Sequence, residues 1–571
     1  MVQHGNKSAC LAWLRRVGAP LFLAVLFFLG LFATAGYGMP FDEKEEQAIL
    51  NANMREYILR FCGAEALPDA DTGDPEYRIA TSVNRDHGIA AFYPLGFYML
   101  RRDSLPTRQV ILVWHYYIYC LCFLGVIALY ALTKELLHSR RLGCAAALFL
   151  FLSPRMFAEM HYNNKDMVCL ALVLIVLCFG VKWIRSSRPL FALLFGIASA
   201  FAANMRLVAA FAFGLVGLTY LCLLLRDARA GAEKALCRRR FRQGLLAIFV
   251  CGATYVLITP ALWGDPVGYA KYLFTYTFHF ARWDQQMLYA GELYQRSVNP
   301  LPRSYLPVMI AITTPVWLLL LTLVGQAAVI LRAVRSRLRE RDDLLLCMVS
   351  LMWLVPLLLA VALNTHVYNG WRQFYFLYGP MLVMAAAGVQ ALARVLAKRG
   401  RVPLRVGAGL LALCALWSGA GIAGNHPYEF AYVNAFAGCN AAERYELDYW
   451  HLAGGPLIRE LFASLPEDAE VSLSYVTLHD QHAVFFARRE LTEQQQSRLT
   501  VENRLEDAQY VLLNLTYLHT LPEDAPEEQY EEAPKGRSLN ALQYLEEHYH
   551  IRSRAVSYGN ELMYLYERNA E

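Results

Sequence analysis

The chain has 571 residues, of which 57% are hydrophobic and only 18% are charged, and its mean hydropathy is positive. Soluble globular proteins rarely carry so much apolar side chain, so this composition excludes an ordinary water-soluble fold. The net charge of +5 is no indication of a nucleic-acid partner.

Charge is distributed unevenly along the chain. Residues 425–571 hold 25 of the 48 acidic residues but only 11 of the 53 Lys and Arg residues, so this segment carries −14 and the rest carries +19. We therefore predict a membrane domain over residues 1–424 and a soluble extracytoplasmic domain over residues 425–571.

The apolar runs predict about eleven transmembrane helices. A helix rises about 1.5 Å per residue, so a hydrocarbon core of about 30 Å needs roughly 20 apolar residues. The predicted fold class is thus an all-α polytopic membrane domain with a C-terminal soluble α/β domain. The runs lie at 18–38, 108–133, 142–160, 167–184, 189–203, 206–226, 245–263, 305–331, 344–363, 375–396 and 406–424.

Basic residues in the short connections predict the orientation. Alternate connections are rich in Lys and Arg, which is typical of cytoplasmic loops, and they follow residues 133, 184, 226, 331 and 396. This pattern predicts a cytoplasmic N-terminus and outer segments at 39–107, 153–166 and 264–304. The Ala33-Thr34-Ala35 spacing also fits a signal cleavage site, but the long apolar run favours an uncleaved anchor.

The C-terminal domain shows mixed periodicity. Helices are predicted at Gly455–Leu465 and Ser538–His550, and a loop at Pro522–Pro534. Strands are predicted at Glu470–Leu478, His482–Leu491 and Gln509–Leu518, followed by a hairpin over Arg552–Arg568 that turns at Gly559-Asn560. Most of the thirteen cysteines lie in apolar runs, and only Cys62 and Cys439 could pair in outer segments.

Asp42 stands just outside the first apolar run and permits two interpretations. Asp42-x-x-Glu45 has the spacing of a helix capping box, and an amphipathic helix is predicted from here to about Phe61. Alternatively, Asp42 is a carboxylate at the membrane surface that takes a proton from an acceptor. The two roles are compatible, because a capped helix is a rigid support.

The second outer segment collects ionisable groups before the next apolar run. An acidic residue at the end of an apolar run often lies at the membrane–water interface without a function. A cluster of acidic and basic residues on one membrane face, however, suits the binding of a phosphorylated ligand. The cluster contains Arg155, Glu159, His161, Lys165 and Asp166.

Arg372 directly precedes another apolar run. It follows Trp371 and lies between Tyr368 and Tyr375, so it could be an arginine that reaches the interface within an aromatic belt. It could equally hold a phosphate oxygen. No nucleotide-binding glycine loop, zinc-protease histidine pair or Ser/His/Asp spacing is present, so an outer-face enzyme would need an activated donor such as a lipid-linked phosphate.

The order of these motifs resembles a known family. The chain is similar, over roughly residues 15–460, to bacterial members of the multi-spanning GT-C glycosyltransferases of the dolichyl-phosphate-mannose–protein mannosyltransferase and aminoarabinose-transferase type. The matching motifs are Phe41-Asp42-Glu43, the Ser153-Pro154 loop ending in Asp166, Pro260-x-x-Trp263-x-Asp265-Pro266, Asn369-Gly370-Trp371-Arg372-Gln373-Phe374, His426-Pro427-Tyr428 and Asp448-Tyr449-Trp450.

The resemblance implies a function. It implies inverting transfer from a polyprenyl-phosphate sugar to an unidentified envelope acceptor, at a bacterial inner membrane, with or without a divalent cation. Asp42 would be the general base and Asp166 the second catalytic acid. The family's His-Pro-Pro-Leu is replaced by His87 and a separate Tyr93-Pro94-Leu95, which leaves a protein acceptor in doubt. The expected substrate-binding residues are Glu43, His87, Arg155, His161, Lys165, Trp371 and Arg372.

Two other functions fit a chain of this class. A transporter or flippase of lipid-linked saccharides would place charges deep within its spans along a path. A non-catalytic assembly protein would tolerate the loss of both aspartates.

Overall fold

The computed structural model describes residues 2–67, 78–101, 104–278, 284–520 and 540–570. Its first part is helical, with a short hairpin of β1 (Met287–Tyr289) and β2 (Glu292–Tyr294). The helices are α1 (Val2–Ala33), α2 (Glu43–Phe61), α3 (Gly96–Met99), α4 (Thr107–Leu137), α5 (Arg140–Phe151), α6 (Pro154–Glu159), α7 (Asp166–Ser186), α8 (Pro189–Met205), α9 (Ala210–Arg229), α10 (Lys234–Leu257), α11 (Pro266–Phe278), α12 (Tyr305–Thr313), α13 (Val316–Ser336), α14 (Arg341–Ala362), α15 (Tyr378–Lys398) and α16 (Arg401–Asn425).

Within the described residues, 8 helical segments are long and apolar enough to cross a membrane. The predicted class of fold is confirmed, but the predicted number of about eleven spans is not. The predicted span 142–160 is divided between α5 and α6, where Pro154 begins a new helix. Helix α8 has only 17 residues, and the first half of α10 is basic. The candidate spans are Val17–Gly36, Thr107–Leu137, Asp166–Ser186, Leu207–Arg229, Val316–Ser336, Arg341–Ala362, Arg372–Lys398 and Arg401–Asn425.

The basic connections meet at one end of the helical domain. Arg185, near the end of α7, contacts Glu135 and Asp342 at 3.1 and 2.6 Å. Arg226 donates to the backbone carbonyls of the connection after α13. Asp166, at the opposite end of α7, lies about 30 Å away at about 1.5 Å per residue, which equals the thickness of a hydrocarbon core.

The C-terminal domain contains a five-stranded sheet in the order β4-β3-β5-β7-β6, parallel between β3 and its two neighbours and antiparallel elsewhere. The predicted hairpin and both predicted helices are confirmed, and the Pro522–Pro534 loop lies outside the described residues. The elements are α17 (Gly454–Ser464), β3 (Val471–Tyr475), α18 (Leu478–Arg489), α19 (Glu493–Ser497), β4 (Leu499–Val501), β5 (Tyr510–Asn514), α20 (Asn540–His548), β6 (Tyr549–Ser557) and β7 (Asn560–Arg568).

The strand predicted at His482–Leu491 is wrong, because this segment belongs to helix α18. Thr477 and Asp480 form a capping box at its start, and Ala483, Val484 and Ala487 are buried on one face. A short apolar run does not distinguish helix from strand by its period, whereas the capping box was the available signal. Cys62 and Cys439 are both free and exposed, so they do not pair.

Candidate active site

A cavity of about 770 Å³ opens at the end of the helical domain opposite the basic connections. Its walls come from the start of α2, the segment between α6 and α7, the outer loop after α11, the turn before α15 and the C-terminal domain. Charged side chains from distant parts of the chain line it, among them Asp42, Glu46, His87, Lys165, Arg206 and Arg372.

Asp42 does not cap α2, although it immediately precedes that helix. Its side chain makes no capping hydrogen bond, so the predicted capping box is absent. Instead, Oδ2 accepts hydrogen bonds from Arg372 Nη1 at 2.6 Å and from Trp450 Nε1 at 3.2 Å. The bond to Arg372 joins two opposite charges, whereas a capping bond would join the carboxylate to a neutral backbone amide. The Asp42 side chain is still 40% exposed, so a ligand in the cavity can reach it.

Asp166 lies behind the cavity wall, not on its surface. It is 2% exposed, and its Oδ1 accepts from Arg206 Nε at 3.0 Å and Nη2 at 2.8 Å. The Arg206 guanidinium itself lines the cavity. Asp166 therefore holds Arg206 in place, and its predicted catalytic role stays a prediction. Arg206 was not expected in the site, although a charge between two apolar runs is a recognisable signal.

A second buried ion pair lines the same cavity. Lys165 Nζ contacts Glu46 Oε2 at 3.0 Å and donates to the Gly88 carbonyl at 2.9 Å, and His87 Nδ1 lies 3.7 Å from Glu46 Oε1. Burial opposes ionisation of Glu46, but Lys165 and His87 hold its pKa well below the ordinary value. Burial lowers the pKa of Lys165, and Glu46 offsets part of this shift. Lys165 and His87 were expected in the site from the sequence, whereas Glu46 was not.

Four other expected site residues pack in the protein interior behind this wall. Glu43 contacts His115 at 2.8 Å, and both side chains are fully buried. The His161 ring stacks between Tyr37 and Tyr119, with ring centroids 4.7 and 4.8 Å away. The Glu43 and His161 side chains are both buried and neither lines the cavity, so their predicted contact with substrate stays a prediction.

Arg155 and Trp371 are buried in the same way. Arg155 is 2% exposed and lies beside Glu159 and Tyr375. The Trp371 indole is fully buried and donates to Thr313 Oγ1 at 2.8 Å. Neither residue lines the cavity, and their predicted contact with substrate stays a prediction.

The described part of the chain offers no group of three or more His, Cys, Asp and Glu side chains that could hold a metal ion. Asp42 and Glu46, the cavity acids nearest to the basic groups, are each paired with a cation. The binding of a divalent cation therefore stays a prediction of the family resemblance. The described residues contain no set of side chains that could coordinate the ion.

The C-terminal domain holds the segment that carries Asp42. Glu490 Oε1 accepts from the Met39 amide at 2.7 Å, and its other oxygen is paired with Arg459. Arg459 in turn donates to the Gly36 carbonyl at 2.6 Å. Together with the hydrogen bond that Trp450 donates to Asp42, these contacts attach the C-terminal domain to the segment that carries Asp42. The C-terminal domain therefore forms part of the cavity wall.

Adding one methyl group at Gly455 is expected to disturb this contact. A Cβ there would lie 2.1 Å from Glu490 Oε1, so G455A must displace the carboxylate that holds Met39. Displacements near 1 Å lower catalytic rates by up to about 100-fold, so we expect the sugar transfer that the family resemblance implies to fall roughly 10- to 100-fold. The neighbouring G454A is the matched control, because its nearest contacts are an ordinary 3.5 Å away. Equal activities of the two variants, measured in reconstituted membranes, would argue against a role for the Glu490 contact.

Glu446 makes the stability of this region depend on pH. It accepts hydrogen bonds from the Asn369 side chain and the Leu288 amide, and burial raises its pKa from 4.5 to about 7. The folded protein therefore binds this proton more tightly than the unfolded chain, and stability falls as pH rises between about 4.5 and about 7.

The variant E446Q mimics the protonated acid and is expected to flatten this dependence. The shift corresponds to about 3 kcal/mol at most, since each pKa unit is about 1.4 kcal/mol. Thermal unfolding in detergent at about pH 5 and about pH 8 measures the difference. A pH slope in E446Q as steep as that of the wild type would assign the effect to other groups.

No protein-family model matches this chain, and no curated protein matches its sequence. Solved structures do resemble it. One is ArnT from Cupriavidus metallidurans in the apo state, with 12% identity, 98% of each chain covered and a TM-score of 0.44. The same protein bound to undecaprenyl phosphate gives 12% identity, coverage of 96% of this chain and 98% of that one, and a TM-score of 0.43.

An archaeal structure is also similar. It is the oligosaccharyltransferase AglB from Archaeoglobus fulgidus in complex with an inhibitory peptide and a dolichol-phosphate, with 9% identity, 88% of this chain and 70% of that chain covered, and a TM-score of 0.46. ArnT and AglB are GT-C glycosyltransferases. The likeness is one of architecture along the chain, and it identifies no residue of the cavity.

Proposed function

We propose that this protein is an inverting membrane glycosyltransferase that moves a sugar from a polyprenyl phosphate to a hydroxyl group of an envelope acceptor. One observation carries the proposal. A single cavity places an exposed carboxylate, Asp42, against Arg372, with Arg206 and Lys165 in the same walls. A carboxylate can accept a proton, and basic groups can bind a phosphate, so the two halves of the reaction have their chemistry in one place.

The basic groups suit the donor phosphate. Planar guanidinium groups bind phosphate oxygens with two parallel hydrogen bonds. Asp166 holds the Arg206 guanidinium through two of its nitrogens, and Nε of Arg372 is buried without a hydrogen-bond partner. These donors would bind the phosphate in the donor and stabilise the additional negative charge when the lipid phosphate leaves.

The hydrogen bonds of Asp42 suit a general base that takes a proton from the acceptor hydroxyl. Both of its hydrogen bonds are made through Oδ2, which directs the carboxylate and leaves Oδ1 to accept a proton. In the proposed step, Oδ1 takes the proton of an acceptor hydroxyl, whose oxygen attacks the anomeric carbon from the face opposite the phosphate. The bond to the phosphate breaks, and the phosphate keeps the electron pair.

The position of the cavity suits a lipid donor on the outer face. It lies about one hydrocarbon thickness from the basic connections, which we place in the cytoplasm by their Lys and Arg content. The cavity would then open at the extracytoplasmic headgroup level, where a polyprenyl phosphate presents its sugar. A bacterial inner membrane, with the C-terminal domain in the periplasm, fits this arrangement.

Reconstitution in liposomes tests the proposal against transport. Purified protein would be given a polyprenyl phosphate carrying a radiolabelled sugar together with an envelope extract as acceptor. Covalent transfer of label to the extract supports the glycosyltransferase. Movement of the labelled lipid between leaflets without covalent transfer would support a flippase, and the absence of both activities would favour a non-catalytic assembly protein.

A further inference from the structure

A second groove, of about 450 Å³, lies at the basic end of the helical domain. It runs between the first turn of α8 and the first half of α10. Pro189, Ala235 and Leu246 contribute its apolar walls. The remaining lining residues are Arg238, Arg239, Arg242 and Gln243. Helix α8 has 17 residues, so this groove is about 25 Å from Arg206 at the other end of the helix.

The three arginines of this groove have no acidic partner. Among the residues that the structure describes, none of the three guanidinium groups makes an ion pair, and all three residues are exposed. Arg240, one position along the same helix, behaves differently because it is paired with Asp227. Positions 238, 239 and 242 are neighbours on one helix face, so three positive charges converge on the groove without compensation.

The floor of the groove is fixed by hydrogen bonds. Gln243 is buried, its side-chain oxygen accepts from Trp183 Nε1 at 3.1 Å, and its amide nitrogen donates to the Ser187 carbonyl at 2.8 Å. These bonds tie α10 to the end of α7 and to the α7–α8 connection. The groove is therefore a formed feature of the helix packing.

An apolar face of α10 continues from the groove toward the middle of the membrane. Phe241, Leu245, Ile248 and Phe249 are 56%, 51%, 60% and 72% exposed. Their spacing of four, three and one residues places them on one side of a helix. In a bilayer this face contacts acyl chains, so the arginines lie where the headgroups of the same lipids begin.

We propose that this groove binds the phosphate of an anionic phospholipid in the leaflet at the basic end of the protein. The arginines would donate to the phosphate oxygens, and the acyl chains would lie along the apolar face of α10. Basic pockets between membrane helices are suited to acidic headgroups. The site is independent of the proposed transfer reaction, because it lies at the other end of α8 from the cavity.

Native mass spectrometry of the full-length protein in detergent tests this site, with phosphatidylglycerol and phosphatidylcholine as probes. We expect the wild type to retain phosphatidylglycerol in preference to phosphatidylcholine. The variant R238Q/R239Q/R242Q should bind phosphatidylglycerol roughly 100-fold more weakly, since each basic residue near a membrane surface contributes about 1 kcal/mol. The matched control is R335Q/R337Q/R339Q, which removes three exposed arginines from a connection at the same end but outside the groove.

Several outcomes would overturn the proposal. Equal weakening in both triple variants would mean that diffuse positive charge, and not a formed site, attracts the lipid. Equal retention of the two phospholipids by the wild type would also contradict it. A loss of undecaprenyl-phosphate retention in R238Q/R239Q/R242Q as large as the loss of phosphatidylglycerol would identify the groove as a polyprenyl-phosphate site instead. If the triple variant does not fold, A235E places a carboxylate in the groove and should weaken phosphatidylglycerol binding in the same way.

Discussion

Replacing Asp42 with asparagine is expected to lower the rate of sugar transfer by roughly 10²- to 10⁴-fold, the usual contribution of a general base. Asparagine keeps the shape of the side chain and can still accept the Arg372 and Trp450 hydrogen bonds, but it cannot take the acceptor's proton. Binding of the lipid-phosphate donor should therefore change little, so the loss should appear in kcat and not in the KM for the donor.

Transfer of labelled sugar in reconstituted membranes measures this effect, and retention of undecaprenyl phosphate measures donor binding separately. D468N is the matched control, because Asp468 is an exposed aspartate of the C-terminal domain. Undiminished transfer by D42N would remove Asp42 as the base. A parallel loss of donor binding would show instead that its main role is to hold Arg372.

The second large effect is expected at Arg206. R206Q removes a phosphate donor group from the cavity and leaves Asp166, 2% exposed, without its partner. Breaking a buried ion pair on one side costs about 3–5 kcal/mol, so we expect this variant to lose both stability and donor binding. The double variant D166N/R206Q removes both charges, and it should recover most of the stability but none of the donor binding.

Thermal unfolding and binding of undecaprenyl phosphate distinguish these two losses. The double variant is informative because a purely structural role predicts that stability and binding recover together. Recovery of binding in D166N/R206Q would therefore show that Arg206 is not a phosphate ligand. D166N alone should weaken donor binding by displacing the guanidinium, which is the behaviour of a positioning residue.

Several properties of this protein depend on local composition and could be predicted from the sequence. Hydropathy and the distribution of Lys and Arg predict a membrane domain with a polar outer domain, because each segment's preference for lipid or water is nearly independent of the rest of the chain. The hairpin was also predictable from local sequence, although its turn lies at Tyr558-Gly559, one residue before the predicted Gly559-Asn560. Asp42 and Arg372 could also be chosen as candidates, since ionisable groups beside apolar runs are uncommon unless they have a role.

Which of these charged side chains contact one another depends on the three-dimensional packing and could not be predicted from the sequence. Asp42 is 330 residues from Arg372 and 408 residues from Trp450 along the chain, and its contacts with them depend on how the helices and the C-terminal domain pack together. For the same reason, Asp166 proved to be the support of Arg206, and Glu43 and His161 proved to be interior residues. Sequence spacing specifies contacts within one helix or strand, whereas side-chain pairs between distant elements follow from the three-dimensional packing alone.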